Sequence, residues 1–271
     1  MSGPIQRSLL PDSADSSSGG LAIGGVDVLD LAERHGTPLF VYDEQQLIDA
    51  CAEAVAAFPD GVAYASKAFL CRAMARIAYD AGMDIDVATG GELFVALRAG
   101  VPAGRLVFHG NNKSEAEIAY ALAEGVGRIV VDSDDELARH EELATPAHRQ
   151  RVLHRLNPGI EAHTHEDLHP GVIDSKFGCP LLEGAAERAV ARVRDSAMLE
   201  FAGLHAHIGS QVFDTSSFAQ AMHALAPITN ESEAEELSIG GGLGVAYVEG
   251  EASDSLTSWG TAVRRAARAV S

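Results

Sequence analysis

The alternation that decides the fold begins at residues 62–69, VAYASKAF. Small and β-forming residues run up to Lys67, and an alanine-rich, helix-like stretch from Leu70 to Ala81 follows directly. Lys67 is therefore predicted to stand at the carboxyl-terminal tip of a strand, where parallel α/β folds carry their chemistry. A lysine at such a tip is either a solvated surface amine or a catalytic amine, and the rest of the chain decides between the two.

The same order of helix and strand recurs along the chain from about residue 43. The alternation predicts right-handed βαβ units around one parallel sheet, and the number of strand–helix pairs favours a (β/α)8 barrel over an open sheet. No eighth strand is predicted before Ser271, so we expect an incomplete barrel. The predicted strands are 61–66, 83–87, 105–109, 127–131, 150–156, 199–207 and 236–239. The predicted helices include 70–81, 92–99, 115–124, 182–194 and 256–270.

The chain ahead of the barrel divides into two short parts. Residues 1–20 carry many serines and glycines and few apolar residues, which predicts a mobile leader. Residues 21–42 are predicted as an N-terminal segment with a helix from Val26 to His35, ended by a glycine, and a strand at 37–43. Residues 43–271 then form the incomplete barrel.

Composition limits the possible classes of function. With 271 residues, 46% of them hydrophobic and 6% aromatic, the chain has the composition of a soluble enzyme domain. A net charge of −19 argues against nucleic acid and anionic membranes as partners. No signal-peptide pattern and no membrane-length apolar run is present, and the three cysteines form no C-x-x-C pair. We therefore expect a cytoplasmic protein with no nucleic-acid or membrane partner.

Polar and reactive residues follow the predicted strands, at the point where each strand ends. The carboxyl ends of parallel strands meet at one rim of a barrel, and that rim is the active-site face. We therefore expect these residues to lie close together. They are Lys67, Asp86, Thr89, His109, Asp132, Arg155, His207 and Gly240.

Two of these strand ends carry motifs with more than one interpretation. Residues 240–244, GGGLG, suit close approach of backbone N–H groups to a phosphate, or form only a flexible turn; the G-x-G-x-x-G spacing of a dinucleotide site is not met. His205 and His207 stand at strand spacing and share a face. Three interpretations are open. The two histidines could bind a metal together with Asp86 and His109, one of them could lie flat against an aromatic cofactor, or both could be core residues with satisfied hydrogen bonds.

A third histidine-rich stretch, residues 163–169 (HTHEDLH), lies in a predicted loop. His163, His165, Glu166 and His169 have the residue types of a metal cluster, but the neighbouring prolines and glycines favour a solvated or substrate-covering loop. We therefore expect no metal there.

In order along the chain, these motifs resemble those of the fold-type III pyridoxal-phosphate decarboxylases. The resemblance covers nearly the whole chain from about residue 21, and HGNNKS points to the diaminopimelate branch of the family. Several motifs in one order are far more specific than any single one. The matching stretches are YASKA (64–68), DVATGGEL (86–93), HGNNKS (109–114), EAHTHE (161–166), KFG (176–178), HAHIGSQ (205–211) and GGGLG (240–244).

The resemblance implies a TIM-type barrel of the alanine racemase-like fold that binds pyridoxal 5′-phosphate. It implies that Lys67 forms the internal aldimine, that His207 stacks on the pyridine ring and that Arg155 approaches the phenolic oxygen. The phosphate would be held by Ser210 and the backbone of Gly240, Gly241 and Gly242, and Asp86 and Glu92 would partner the lysine ammonium once substrate displaces it.

The implied activity is decarboxylation of meso-2,6-diaminopimelate to L-lysine and CO2, and the implied assembly of the full-length form is a homodimer. In the family an eighth strand ends in an E-P-G-R motif and a C-terminal β domain follows, and this sequence contains neither. We therefore expect a truncated form that carries the barrel part of the site. Two other functions stay open: a non-catalytic pyridoxal-phosphate binder or partner subunit, and a metal-dependent amidohydrolase-like barrel.

Overall fold

The computed structural model describes residues 10–17, 19–160, 177–181, 184–248 and 250–270. Strands and helices alternate along the chain from residue 44 onward. The strands are β1 (Ala22–Ile23), β2 (Val26–Asp27), β3 (Ala63–Ala65), β4 (Asp84–Val87), β5 (Leu106–Phe108), β6 (Arg128–Val131), β7 (Gln150–Asn157), β8 (Cys179–Pro180), β9 (Leu199–His205) and β10 (Glu236–Ser238). The helices are α1 (Val28–His35), α2 (Glu44–Ala57), α3 (Arg72–Asp80), α4 (Gly90–Arg98), α5 (Glu115–Glu124), α6 (Asp134–Leu143), α7 (Ala185–Asp195), α8 (Ser216–Glu231) and α9 (Leu256–Val270).

One parallel sheet organises the barrel, in the order β10-β9-β7-β6-β5-β4-β3, with the short β8 paired to the end of β7. From β4 onward each strand lies beside the strand that precedes it in the chain, as successive right-handed βαβ units require, except that β9 lies beside β7 and not beside β8. All of these pairings are parallel, so every strand ends at the same rim. The curled parallel sheet with an outer helical layer confirms the predicted TIM-type architecture.

The two faces of the sheet bury different residues. Side chains such as Ile85, Phe108 and Ile129 are fully buried and pack outward against the helices. A smaller cluster of Val130, Leu153 and Ala202 fills the inner face. Because the strands are buried on both faces, their sequences are near-continuous apolar runs. Such runs can be recognised as strands from the sequence.

The helical layer continues where the edge strands of the sheet do not pair. Strands β3 and β10 are the two edges of the sheet, and within the described ranges no further strand joins them. Helix α9 lies between α8 and α2: the Trp259 ring is 4.9 Å from Phe218 and 4.8 Å from Phe58. The Thr257 backbone N–H also donates to the Glu53 carboxylate, at 3.0 Å. These contacts join the last described helix to the first helix of the barrel.

Three of the helices that follow strand ends, α4, α5 and α6, are each capped by a hydroxyl residue. Thr89, Ser114 and Ser133 have extended backbones, and each side chain accepts the N–H of the residue three positions on. Glu117 returns the bond to Ser114 in a capping box and also accepts the Gly90 N–H at 2.8 Å. The caps fix the loops at the carboxyl-terminal rim.

The N-terminal segment differs from its prediction in two places. Val26 pairs with Ile23 across a Gly24–Gly25 turn in which both glycines have positive φ, so it belongs to a strand, and α1 begins at Val28. The strand predicted at 37–43 is wrong: these residues form no strand in the structure. A strand needs a neighbouring backbone to pair with, and Pro38 has no N–H to donate.

Part of the predicted leader contacts the chain that follows it. The Asp15 and Ala22 backbones exchange hydrogen bonds of 2.9 and 2.8 Å, and Ala14 is buried. The leader and the boundaries of the N-terminal segment and the barrel stay predictions.

Charged residues form a connected set of ion pairs at the amino-terminal end of the sheet. Arg128 on β6 contacts Asp84 on β4 at 3.1 Å and Glu236 on β10 at 2.5 Å. Arg151 on β7 contacts Glu236 at 3.3 Å and Glu235 at 2.7 Å. Arg128 therefore links β4 to β10, which lie on either side of β6 in the curled sheet. The link lies at the end of the barrel opposite the carboxyl-terminal rim.

Replacing Arg128 with methionine is therefore expected to lower the free energy of unfolding by about 1–2 kcal/mol, since two partly buried carboxylates lose their shared cation. Urea unfolding measures the change, and high salt should shrink the difference from the parent chain. Arg76→Met is the control, because Arg76 pairs with Asp80 within one helix and both side chains are about half exposed. An equal loss in both variants would contradict the bracing role of Arg128.

Candidate active site

Lys67 lies at the tip of β3, where the sequence predicts it. A single 3-10 turn, Ser66–Ala68, follows the strand and presents the Lys67 side chain to solvent while Ser66 is buried. The Tyr64 hydroxyl donates to the Phe69 carbonyl oxygen at 2.7 Å and fixes this turn. Within the described residues the Lys67 amine has no hydrogen-bond partner, so it is accessible to a ligand at the rim.

Two carboxylates lie near this amine. The Asp86 side chain on β4 is 23% exposed, and burial raises its pKa to about 7 even though the Lys67 charge acts to lower it. The charge of the neighbouring Glu92 contributes to this rise in the pKa, because two like charges share the region. Glu92 Oε2 accepts the Ala88 N–H at 2.6 Å, which holds the loop between β4 and α4. Asp86 Oδ1 has no partner within the described residues, so the site offers an unused acceptor.

Three histidines surround the same region. His109 and His205 are both buried, and their rings lie 5.0 Å apart at a tilt of 39°. Burial, together with the charges of Lys67 and Arg155, lowers the pKa of His109 to about 3 and that of His207 to about 4. All three imidazoles are therefore neutral at pH 7, and a neutral ring suits stacking on a planar ligand.

Arg155 enters the site from β7 with its charge paired. Its guanidinium Nη1 lies 2.7 Å from Asp132 Oδ1, and both side chains are buried. Asp132 stands at the end of β6, the neighbouring strand, so strand order alone brings the pair together. The sequence places both residues at the rim but does not predict that they pair.

The glycine segment after β10 lies against the chain that follows β9. A Cβ at Gly240 would stand 2.6 Å from the Ala206 carbonyl oxygen, and one at Gly242 only 1.9 Å from the Gly209 carbonyl oxygen. Gly241 faces open space. This close approach brings the glycines beside His207 and the exposed Ser210, as the predicted phosphate site requires. All nine site residues predicted from the sequence therefore fall on one rim.

Metal ligation finds no support in this arrangement. Among the described residues no group of three or more His, Cys, Asp or Glu side chains is placed to hold a metal ion. The loop with His163, His165, Glu166 and His169 lies outside the described residues. In the same part of the chain no helix is long and apolar enough to span a membrane.

Buried histidines give stability a defined pH dependence. Burial holds the pKa values of His109, His154, His205 and His207 below the ~6.5 of an unfolded histidine. Below pH ~6.5 the unfolded chain therefore binds more protons, and each histidine costs ~1.4 kcal/mol of stability per pH unit. Asp86 acts in the opposite direction up to pH ~7, because its pKa is raised, but it is a single group against four.

We expect the free energy of unfolding to fall between about pH 7.5 and 5.5 in urea titrations. His154→Asn should flatten the profile, because this ring is buried behind the sheet with both nitrogens unpartnered among the described residues. His148→Asn, at an exposed position, should leave the profile unchanged. Stability that stays flat or rises on acidification would contradict the neutral, buried state of these rings.

Comparison with known proteins identifies the family. A family model described as "Pyridoxal-dependent decarboxylase, pyridoxal binding domain" matches residues 44–270. Diaminopimelate decarboxylase of Bacillus subtilis is 43% identical over 249 residues, which cover 88% of this chain and 57% of that protein. The enzyme of the same name from Mycobacterium tuberculosis is 44% identical over 243 residues, covering 85% of this chain and 54% of that protein.

A solved structure agrees with these relatives. The crystal structure of diaminopimelate decarboxylase from M. jannaschii in complex with L-lysine matches with a TM-score of 0.86 at 30% identity, covering 95% of this chain and 63% of that one. This chain thus spans a little more than half the length of the curated relatives it matches. The ordered motifs, the curled parallel sheet and these matches together show that the chain belongs to the pyridoxal-dependent decarboxylases and carries their pyridoxal-binding domain.

Proposed function

We propose that this chain is the cofactor-binding part of a decarboxylase that converts meso-2,6-diaminopimelate to L-lysine and CO2. The observation that carries the proposal is the exposed Lys67 amine at the end of β3, on the same rim as Asp86, His207 and the glycine segment. The names of the curated relatives support the substrate.

The residues present fit pyridoxal phosphate. Lys67 offers an accessible amine, and the close packing at Gly240 and Gly242 leaves main-chain N–H groups near Ser210 for a phosphate dianion. Neutral His207 offers a flat face, and Asp86 Oδ1 and both nitrogens of His109 are buried polar atoms without hydrogen-bond partners among the described residues, although His109 Nδ1 lies 3.7 Å from Asp86 Oδ2. Buried polar atoms are rarely left unpaired, so these atoms support a polar ligand at the rim.

Each residue then has a separate task. Lys67 would hold the cofactor through its amine, and His207 would present its flat face to the ring. Arg155, held by Asp132, directs a positive charge to the anionic oxygen of the ring. Asp86, with a pKa of about 7, can accept or release a proton near neutral pH and would hold the Lys67 ammonium while substrate is bound. Bound pyridoxal phosphate supplies the electron sink for loss of the α-carboxylate.

The assembly and cellular location belong to the same proposal: a homodimer in the full-length form, located in the cytoplasm. Exposed apolar side chains on the N-terminal segment and α2 support a further protein surface there, since such patches mark interaction sites. They include Phe40, which is 85% exposed, and Leu29, which is 70% exposed. Ile23 and Val26 of the short N-terminal hairpin line the same pocket as Phe40.

Release of CO2 from carboxyl-labelled meso-diaminopimelate, with added pyridoxal phosphate, tests the activity. We expect little turnover by the chain alone; mixed with the rest of a relative it should turn over substrate at a rate that Lys67→Ala lowers by at least ~10³-fold, with L-ornithine as the substrate control. Equal activity of the Lys67→Ala variant would refute the assigned nucleophile. Binding of the cofactor without any CO2 release, even when the chain is mixed with the rest of a relative, would favour the alternative function of a non-catalytic cofactor binder.

A further inference from the structure

The buried guanidinium of Arg155 is held on more than one side. Arg155 and Asp132 have side chains only 5% and 3% exposed, and their ion pair has a 2.7 Å contact. A buried arginine without such a partner would be costly, so the carboxylate fixes where the charge lies. The ring of Phe177 covers the guanidinium at 4.8 Å from its central carbon, within the range of a cation–π contact.

Asp132 joins these two contacts. Its second oxygen, Oδ2, accepts the backbone N–H of Gly178 at 3.2 Å, so the carboxylate that holds Arg155 also holds the chain beside Phe177. Gly178 has a φ of 72°, and a Cβ there would lie 3.2 Å from Arg155 Cγ and 3.1 Å from the Leu156 carbonyl carbon. The approach of this backbone to Arg155 therefore depends on glycine.

The main chain of Asp132 is anchored as well. Glu136 Oε2 accepts the Asp132 N–H at 3.3 Å, and Glu136 Oε1 is held by the buried Lys113 amine at 2.7 Å. The backbone of Asp132 is therefore fixed at the end of β6, and its carboxylate holds Arg155 from a fixed position.

We propose that Asp132 is a positioning residue that acts through Arg155, holding the guanidinium at the rim and coupling it to the Phe177–Gly178 backbone. The inference rests on the proposed function, in which Arg155 faces the cofactor. Without Asp132 the guanidinium keeps its charge but loses its direction, so cofactor affinity falls although no residue that touches the cofactor has changed.

A double-mutant cycle tests the proposal, with pyridoxal phosphate as the probe and equilibrium titration of the 271-residue chain as the measurement. The variants are Asp132→Asn, Arg155→Met and the double variant. The Asp132→Asn change removes the charge and leaves a single side-chain oxygen, so the Arg155 guanidinium and the Gly178 N–H can no longer both donate to this residue. Asp134→Asn is the matched control, because the Asp134 side chain is 75% exposed and pairs only loosely, at 3.4 Å, with Arg192.

We expect Asp132→Asn to raise the dissociation constant of pyridoxal phosphate about tenfold and to alter the visible circular dichroism of the bound cofactor. In the Arg155→Met background, Asp132→Asn should change the dissociation constant by less than about twofold, because the guanidinium through which Asp132 acts on the cofactor is absent. Phe177→Leu, which leaves both charges in place, should weaken binding by about threefold. Asp134→Asn should match the parent chain.

The outcomes distinguish the positioning role of Asp132 from the proposed function of the chain. Equal losses from Asp132→Asn with and without Arg155, or an unchanged cofactor spectrum, would overturn the positioning role while leaving the proposed function standing. No binding of pyridoxal phosphate by the parent chain would overturn the proposed function and this inference with it. If Asp132→Asn fails to fold, Phe177→Leu decides the matter, and full affinity in that variant would count against the proposal.

Discussion

Replacing Gly242 with alanine is expected to lower the free energy of unfolding by about 2–5 kcal/mol and to abolish binding of pyridoxal phosphate. Gly242 has a φ of 102°, which L side chains rarely adopt, and its Cβ would lie 1.9 Å from the Gly209 carbonyl oxygen and 3.0 Å from the Gly209 carbonyl carbon. The two segments would have to separate, and the carbonyl oxygen of Gly242 would lose its 2.8 Å hydrogen bond from Val212 N–H. Urea unfolding and cofactor titration measure the two effects.

The neighbouring glycine provides a matched control. Nothing lies within 4 Å of a Cβ built on Gly241, and its backbone conformation is open to any residue. Gly241→Ala should therefore change stability by less than about 1 kcal/mol. If Gly242→Ala were as stable as Gly241→Ala, the close approach of the two segments, and with it the proposed phosphate site, would be wrong.

Replacing Lys113 with methionine is expected to lower the free energy of unfolding by about 3–5 kcal/mol, because the buried Glu136 loses its lysine partner and keeps only His140 and the Asp132 N–H beside it. Both side chains are only 1% exposed. The Lys113 amine also donates to the Gly110 and Val130 carbonyl oxygens, at 2.7 and 2.6 Å, so the pair joins the ends of β5 and β6. Thermal unfolding should show a drop of roughly 6–20 °C in the melting temperature.

Two further variants separate the buried charge from a general effect of substitution. The double variant Lys113→Met, Glu136→Leu should be more stable than Lys113→Met alone, because it removes the carboxylate that lost its lysine partner. Arg192→Met, which breaks partly exposed pairs with Asp134 and Glu141, should lose less than about 1 kcal/mol. A loss in Lys113→Met no larger than that in Arg192→Met would contradict the cost assigned to the buried pair.

Much of the fold could be predicted because the barrel strands are buried on both faces. All seven predicted strands exist, with ends a residue or two from those observed, and the helix predicted at 115–124 matches Glu115–Glu124. The strand predicted at 37–43 fails for a physical reason. Strand propensity is local, but a strand requires a partner backbone, and the sequence does not say which segments find one.

The site was predictable to the extent that strand order determines it. Lys67, Asp86, Arg155 and His207 follow separate strands, and a parallel sheet must bring such ends to one rim. The pairings between side chains were not predictable. Asp132 with Arg155 and Lys113 with Glu136 are each 23 residues apart in the chain, and only the structure shows that they are buried together.

The roles assigned to the rim residues remain predictions, and the chain is well suited to testing the central one. It contains only three lysines: Lys67, Lys113 and Lys176. Lys113 is buried with its amine in three hydrogen bonds, so it cannot react without local unfolding, whereas Lys67 is exposed at the rim. Lys176 lies outside the described residues.

The most direct measurement is borohydride reduction of the parent chain mixed with stoichiometric pyridoxal phosphate, followed by proteolysis and mass spectrometry. We predict one phosphopyridoxyl group per chain, on the peptide that carries Lys67, and no such group in the Lys67→Ala variant. A label on Lys113 or Lys176 in preference to Lys67, or no label at all, would contradict the assignment of Lys67 as the lysine that binds the cofactor.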